Sequence, residues 1–85
     1  MSNIIFLPEG WDDYLYWQMQ DKKILKRVNK LIKDIQRNSF DGIGKPEPLK
    51  ANWSGWWSRR IDDEHRLVYR VKDDTIEIAQ CRGHY

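Results

Sequence analysis

Eighty-five residues, 40% of them hydrophobic, and a net charge of +2 at pH 7 suit one small domain, residues 1–85, that buries little more than ~60% of its unfolded surface. A single cysteine excludes an internal disulfide, and no Cys/His spacing resembles a zinc site. No apolar run approaches the ~20 residues of a membrane span, so the expectation is a cytoplasmic protein with no membrane association, no metal and no cofactor.

Residues 4–7 (Ile-Ile-Phe-Leu) read as a short buried strand closed by Pro8. From residue 9 to 20 the pattern turns helical, with Trp11, Tyr14, Leu15 and Met19 in one broad apolar arc. Asp21 is the expected N-cap of the next helix. That helix, residues 22–38, has Ile24, Val28, Leu31, Ile32 and Ile35 on one face. Lys22, Lys23, Lys26, Arg27, Lys30, Lys33 and Arg37 occupy the other. Residues 1–21 carry four acids and no Lys or Arg, whereas residues 22–40 carry seven bases and one acid. A face built only for solubility usually mixes signs, so this basic arc suits a polyanion partner.

Two glycines and two prolines make residues 39–48 a loop. Strand-like runs follow at residues 56–61, 65–71 and 75–81, with a shorter one at 49–52. The separators are short, which implies antiparallel hairpins. The predicted fold is therefore α+β: one strand, two helices, then an antiparallel meander of about four strands, with the helices on one face. Strand alternation puts Leu67, Tyr69 and Val71 on one side and Arg66, Val68 and Arg70 on the other. If Ile61 pairs with His65, Arg60 faces Arg66 on the side left free by the helices. Facing like charges repel, which makes sense if an anion sits between them. Cys81 and His65 are read as structural.

These residues form a kit for RNA cleavage. The 2′-OH of RNA can attack its own phosphorus, given a base, cations and an acid. Glu47, between Pro46 and Pro48, is the candidate base. Arg66 and Arg60 match phosphate oxygens, and Lys50 suits a neighbouring phosphate. His84 is the candidate acid, since an imidazole exchanges protons near neutral pH. Tyr85 can stack on a base. The four-residue terminus is expected to be the least anchored part of the site. Composition and spacing by themselves reach only a small basic α+β domain suited to RNA.

The blocks Trp11-Asp12-Asp13-Tyr14-Leu15-Tyr16-Trp17, Gly44-Lys45-Pro46-Glu47-Pro48-Leu49-Lys50, Trp57-Ser58-Arg59-Arg60-Ile61, Glu64-His65-Arg66-Leu67-Val68-Tyr69 and His84-Tyr85 carry the reading further. Together they resemble the YoeB group of RelE-type toxins across essentially the whole chain. The resemblance implies a RelE-like (microbial RNase-like) fold and a metal-independent, ribosome-dependent mRNA interferase cutting in the A site. It implies Glu47 as general base, Arg66 as transition-state cation and His84 as general acid, with Lys50, Arg60 and Tyr85 supporting. It also implies a YefM-type antitoxin, the bacterial ribosome with its small-subunit RNA, an mRNA substrate and a homodimer. Two other readings stand beside it: a ParE-like toxin acting on gyrase by protein contact, and a non-catalytic RNA-binding module. The joint presence of Glu47, Arg66 and His84 disfavours the first.

Overall fold

Local chemistry sets the two helices. In the computed structural model, which describes residues 2–85, Pro8 opens helix α1 (Pro8–Gln20) at its first turn, where its missing N–H costs nothing. Helix α2 (Lys22–Arg37) follows after one residue. Asp21 ends α1 through its backbone N–H on the Trp17 carbonyl and caps α2 as expected. Its carboxylate accepts the N–H groups of Lys23 and Ile24 at 3.0 and 3.2 Å.

Of the apolar arc predicted for α1 only Tyr14 packs against the core, half-buried. Trp11 and Leu15 are 46% and 37% exposed, and Met19 is 81% exposed. The buried positions are Gly10 and Trp17. A Cβ at Gly10 would run into the Ile78 carbonyl oxygen, so only glycine lets the helix lie this close to the sheet. That contact sets the rotation of α1 and turns the arc outward. In α2 the expected face is the buried one: Val28, Leu31, Ile32 and Ile35.

The sheet contains β1 (Asn3–Phe6), β2 (Glu47–Pro48), β3 (Trp57–Arg60), β4 (Arg66–Lys72) and β5 (Thr75–Gln80), in the order β1-β5-β4-β3-β2. Strands β2 to β5 form the antiparallel meander, and β1 runs parallel to β5 at one edge. The strand expected at residues 49–52 is a correction. Pairing ends with the Leu49 N–H on the Trp56 carbonyl, Ala51 turns to φ 56°, and a 3-10 helix (Ala51–Trp53) leads away.

Leu67, Tyr69, Ile76 and Ile78 pack under the helices against Trp17, Val28, Leu31 and Ile35. The other face is only partly free: Leu49, Val68 and Ala79 form a smaller cluster roofed by Leu7, Trp53 and Trp56. On the helix side lies Arg59, with a side chain at 0% exposure. It bonds Asp34 at 2.6 Å, the carbonyls of Asn38, Asp41 and Ile43, and the Tyr69 hydroxyl. The Tyr69 hydroxyl in turn donates to the Ser39 carbonyl at 2.6 Å. The Ile43 N–H and then the Arg59 guanidinium hold the Asp34 carboxyl below its ordinary pKa.

Breaking a buried ion pair from one side typically costs 3–5 kcal/mol. Because Asp34 is partly exposed, Asp34→Asn is expected to cost about 3 kcal/mol at neutral pH. Urea melts would show a lower midpoint at unchanged slope. A carboxyl with a lowered folded pKa stabilises above its unfolded value of ~3.9. That contribution disappears as pH falls through the folded value, so the gap between the two proteins should close in acid. Equal stability at neutral pH would contradict the role given to this pair.

Candidate active site

Strand β2 is short because proline flanks Glu47 on both sides, yet its register is firm: Glu47 stands opposite Ser58 and Pro48 opposite Trp57. Two residues further along β3, Arg60 stands opposite Arg66 of β4. The Ile61 N–H reaches the His65 carbonyl at 3.0 Å, the register expected across the 62–64 turn. Burial raises the Asp62 pKa, but the N–H groups of His65 and Glu64, at 2.7 and 2.9 Å, together with the charge of Arg66, outweigh it and leave the carboxyl lowered. The turn is therefore locked by an ionised Asp62. The Arg66 guanidinium crosses back over the turn and donates to the Asp62 carbonyl at 2.7 Å.

The terminus comes to the same place, and it is not the loosely held end expected. The Trp17 indole N–H donates to the Cys81 carbonyl at 2.8 Å, and the Cys81 N–H donates to Asp13 at 3.1 Å. The Arg82 guanidinium lies 3.6 Å from the centre of the Tyr16 ring. Gly83 is bonded through both its N–H and its carbonyl, to His65 and Arg66. Only His84 and Tyr85 extend beyond these ties. Their rings lean together with centroids 5.0 Å apart, and the Tyr85 hydroxyl lies 3.4 Å from Ser58 Oγ. The Cys81 thiol is buried, and burial with the nearby Asp13 charge pushes its pKa up to about 12. It is an inert core group, as read from the sequence.

Lys45, Glu47, Ser58, Arg60, Arg66, His84 and Tyr85 line one polar hollow of about 360 Å³. The structure thus brings together five of the six expected site residues. Lys50 is exposed at the start of the 3-10 helix, outside the lining. Lys45 and Ser58 are additions. Ser58 was legible by strand parity, since it shares a face with Arg60. Lys45 was not, because it enters through a left-handed backbone, φ 52°, that no pattern announces. A roomier hollow of about 480 Å³ opens between β1 and the helices, but its lining of Ile4, Phe6, Tyr14, Asn29, Ile32, Lys33 and Gln36 offers no acid–base pair. Among the described residues no three His, Cys, Asp or Glu side chains converge as a metal-holding group. Nor is any helix long and apolar enough to cross a membrane.

The basic arc of α2 is present. Six of its seven cations are exposed, and the seventh, Arg27, reaches the Arg60 carbonyl at 3.4 Å. The arc therefore runs from the helix surface to the back of the strand that carries Arg60.

Residues 6–85 match the profile of the YoeB-like toxin of bacterial type II toxin–antitoxin systems. This chain belongs to the YoeB-like toxin family. It is 63% identical over 82 residues to toxin YoeB of Escherichia coli strain K12, covering 96% of this chain and 98% of that one. It also resembles the YoeB dimer of Staphylococcus aureus, with 54% identity, a TM-score of 0.92, and coverage of 99% and 98%. A heterotetrameric YoeB–YefM toxin–antitoxin complex from the same organism contains a chain with 53% identity and a TM-score of 0.92, with coverage of 100% and 99%. The YoeB-like fold, a strand, two helices and a five-stranded mixed sheet, is thus the RelE-like fold that the sequence implied.

In this YoeB-like chain the ties end at Gly83, so the last two residues should matter little to folding. Removing His84 and Tyr85 is expected to leave the melting temperature within about 3 °C of wild type. Removing residues 81–85 orphans the Trp17 N–H and Asp13 and should lower it by roughly 10 °C or more. Equal melting temperatures for the two truncations would show that the ties carry no stability.

Proposed function

We propose that this YoeB-like protein is a ribosome-dependent endoribonuclease that cuts mRNA in the A site and so inhibits translation. The observation that supports this best is the convergence of Glu47, Arg60, Arg66 and His84 on one hollow. Glu47 takes the proton of the 2′-OH as its oxygen attacks phosphorus. Arg66, with Arg60, balances the charge that grows on the pentacoordinate phosphorus. As the bond to the 5′-oxygen breaks, His84 gives that oxygen its proton. The products are a 2′,3′-cyclic phosphate and a 5′-hydroxyl. The protein's own guanidinium groups supply the positive charge, so the step is read as metal-independent and without a cofactor.

Arg60 and Arg66 stand opposite each other in the register of β3 and β4, and like charges so placed repel in the free protein. A phosphate between them converts that repulsion into attraction. Tyr85, with Ser58 near its hydroxyl, offers a face for a base to stack on. Lys50 lies outside the hollow and meets a flanking phosphate. Lys22, Lys23, Lys26, Arg27, Lys30, Lys33 and Arg37 meet small-subunit ribosomal RNA. Ribosome affinity that falls steeply with rising salt is the matching readout.

A nuclease of this kind needs a mask. YoeB of S. aureus is found in a complex with YefM and as a dimer. We assign this protein a YefM-like antitoxin and a homodimeric state by that similarity, in a cytoplasmic, single-domain chain of residues 1–85. An acidic antitoxin segment would meet complementary charge at Arg60 and Arg66. With Gly83 tied down, such a segment can displace His84 and Tyr85 without unravelling the sheet.

Cleavage of a defined mRNA, free and in a programmed ribosome with an open A site, tests this reading. Wild type should cut only on the ribosome. His84→Ala should lose about 10²–10⁴-fold in rate while still binding ribosomes. Equal cutting of free RNA would refute ribosome dependence. Stable ribosome binding with no cutting by wild type would favour the non-catalytic RNA-binding module, and inhibition of gyrase without RNA cleavage would favour the ParE-like alternative.

A further inference from the structure

The tie immediately before the terminal pair has a chemical condition attached. The Gly83 N–H donates to His65 Nδ1 at 2.8 Å, and the Gly83 carbonyl accepts from the Arg66 N–H at 3.0 Å. Gly83 holds φ 77°, a backbone state that glycine takes without strain, so the chain turns at the bond itself. The His65 ring is fixed from its other side by the edge of Trp17, with centroids 4.8 Å apart. Trp17 in turn holds the Cys81 carbonyl. One imidazole therefore joins α1, the start of β4 and the terminus.

To accept from Gly83, Nδ1 must present a lone pair. The ring is then neutral, with its proton on Nε2. Nε2 looks toward Glu64, whose Oε1 is 3.9 Å away. Other charged groups on the elements that meet at the ring are Asp62, which takes the His65 backbone N–H, Arg66 at the start of β4, Asp13 on α1, bound to the Cys81 N–H, and Arg82 on the terminus, over the Tyr16 ring. An imidazolium would be drawn to the turn carboxylates, but it would point a second N–H at the Gly83 N–H and lose the tie.

We propose that His65 is a positioning residue: as the neutral Nε2–H tautomer it seats Gly83, and through Gly83 it sets where the His84 imidazole and the Tyr85 phenol stand in the hollow. Its effect on cleavage rests on the nuclease reading above; its hold on Gly83 does not.

Two variants separate the acceptor from the ring. His65→Phe keeps an aromatic edge on Trp17 and removes the acceptor, whereas His65→Asn keeps an acceptor near the Nδ1 position and removes the ring. Misplacing a catalytic group by about 1 Å can cost ~10²-fold, so H65F should lower kcat on programmed ribosomes by about 10- to 100-fold with KM nearly unchanged. H65N should recover most of that loss. In 15N NMR of the full chain, wild-type Nδ1 should read as an unprotonated acceptor. The Gly83 amide should be protected in wild type and exchange at least ~10-fold faster in H65F, with β4 and β5 amides unchanged. Wild-type kcat with a protected Gly83 amide in H65F would overturn the proposal. So would equal losses in H65F and H65N that track a lowered melting temperature, since that pattern marks a purely structural ring. If wild type itself fails to cut on ribosomes, the nuclease reading falls, and the Gly83 amide alone decides whether His65 seats the terminus.

Discussion

Arg59 is a charge with no access to water, and all five of its guanidinium N–H donors end on protein oxygens. Burying such an ion carries a desolvation penalty of several kcal/mol, which is bearable only if every acceptor stays in place. Those acceptors come from α2, from the loop after it and from β4. The ion therefore fixes three elements relative to one another, and the loop of residues 38–43 closes around it as a rigid collar. Gly44 follows directly, and its carbonyl takes the Arg60 N–H. The segment that carries Glu47 leaves from that point. Remove the buried cation and the loop has no reason to hold its shape, so Glu47, the proposed general base, loses its mounting.

The working side of the sheet is built from the opposite kind of contact. Arg60 and Arg66 face each other with little to neutralise them: Asp63 pairs with Arg60 from a fully exposed position, where an ion pair is worth little. On the helix side the buried charge of Arg59 is fully paired, and on the hollow side positive charge is left over. The same two strands present both conditions, because adjacent residues Arg59 and Arg60 point to opposite faces. The fold thus separates a cation used for architecture from a cation on the side of the hollow. The terminus completes the arrangement, held by α1 and His65 up to Gly83, with only the Tyr85 hydroxyl near Ser58 beyond it.

Much of this was legible in the residue pattern where one local interaction decides the outcome. Asp21 as a cap, the apolar and basic faces of α2, and the pairing of Arg60 with Arg66 all follow from spacing and turn length. Parity also put Arg59 on the core side, although nothing local indicated that it would be buried as an ion. What failed was decided by distant contacts. The arc of Trp11, Leu15 and Met19 turned outward because Gly10 lets α1 press on β5. The strand expected at residues 49–52 instead pairs at Glu47–Pro48, within the segment read as a loop, and ends as Leu49 enters the cluster that Trp53 and Trp56 roof. The terminus looked loose because its ties to Asp13, Trp17 and His65 span 18 to 68 residues of sequence, and no short window contains them.

The central claim is that the hollow catalyses attack by the substrate's own 2′-oxygen. The ends of the RNA fragments test it most directly, because the nucleophile determines which oxygen keeps the phosphorus. The account predicts a 2′,3′-cyclic phosphate, or the monophosphate formed when that ring opens, on the upstream fragment and a 5′-hydroxyl on the downstream one. A 3′-hydroxyl with a 5′-phosphate, or cleavage abolished by EDTA while the ribosomes remain intact, would contradict it.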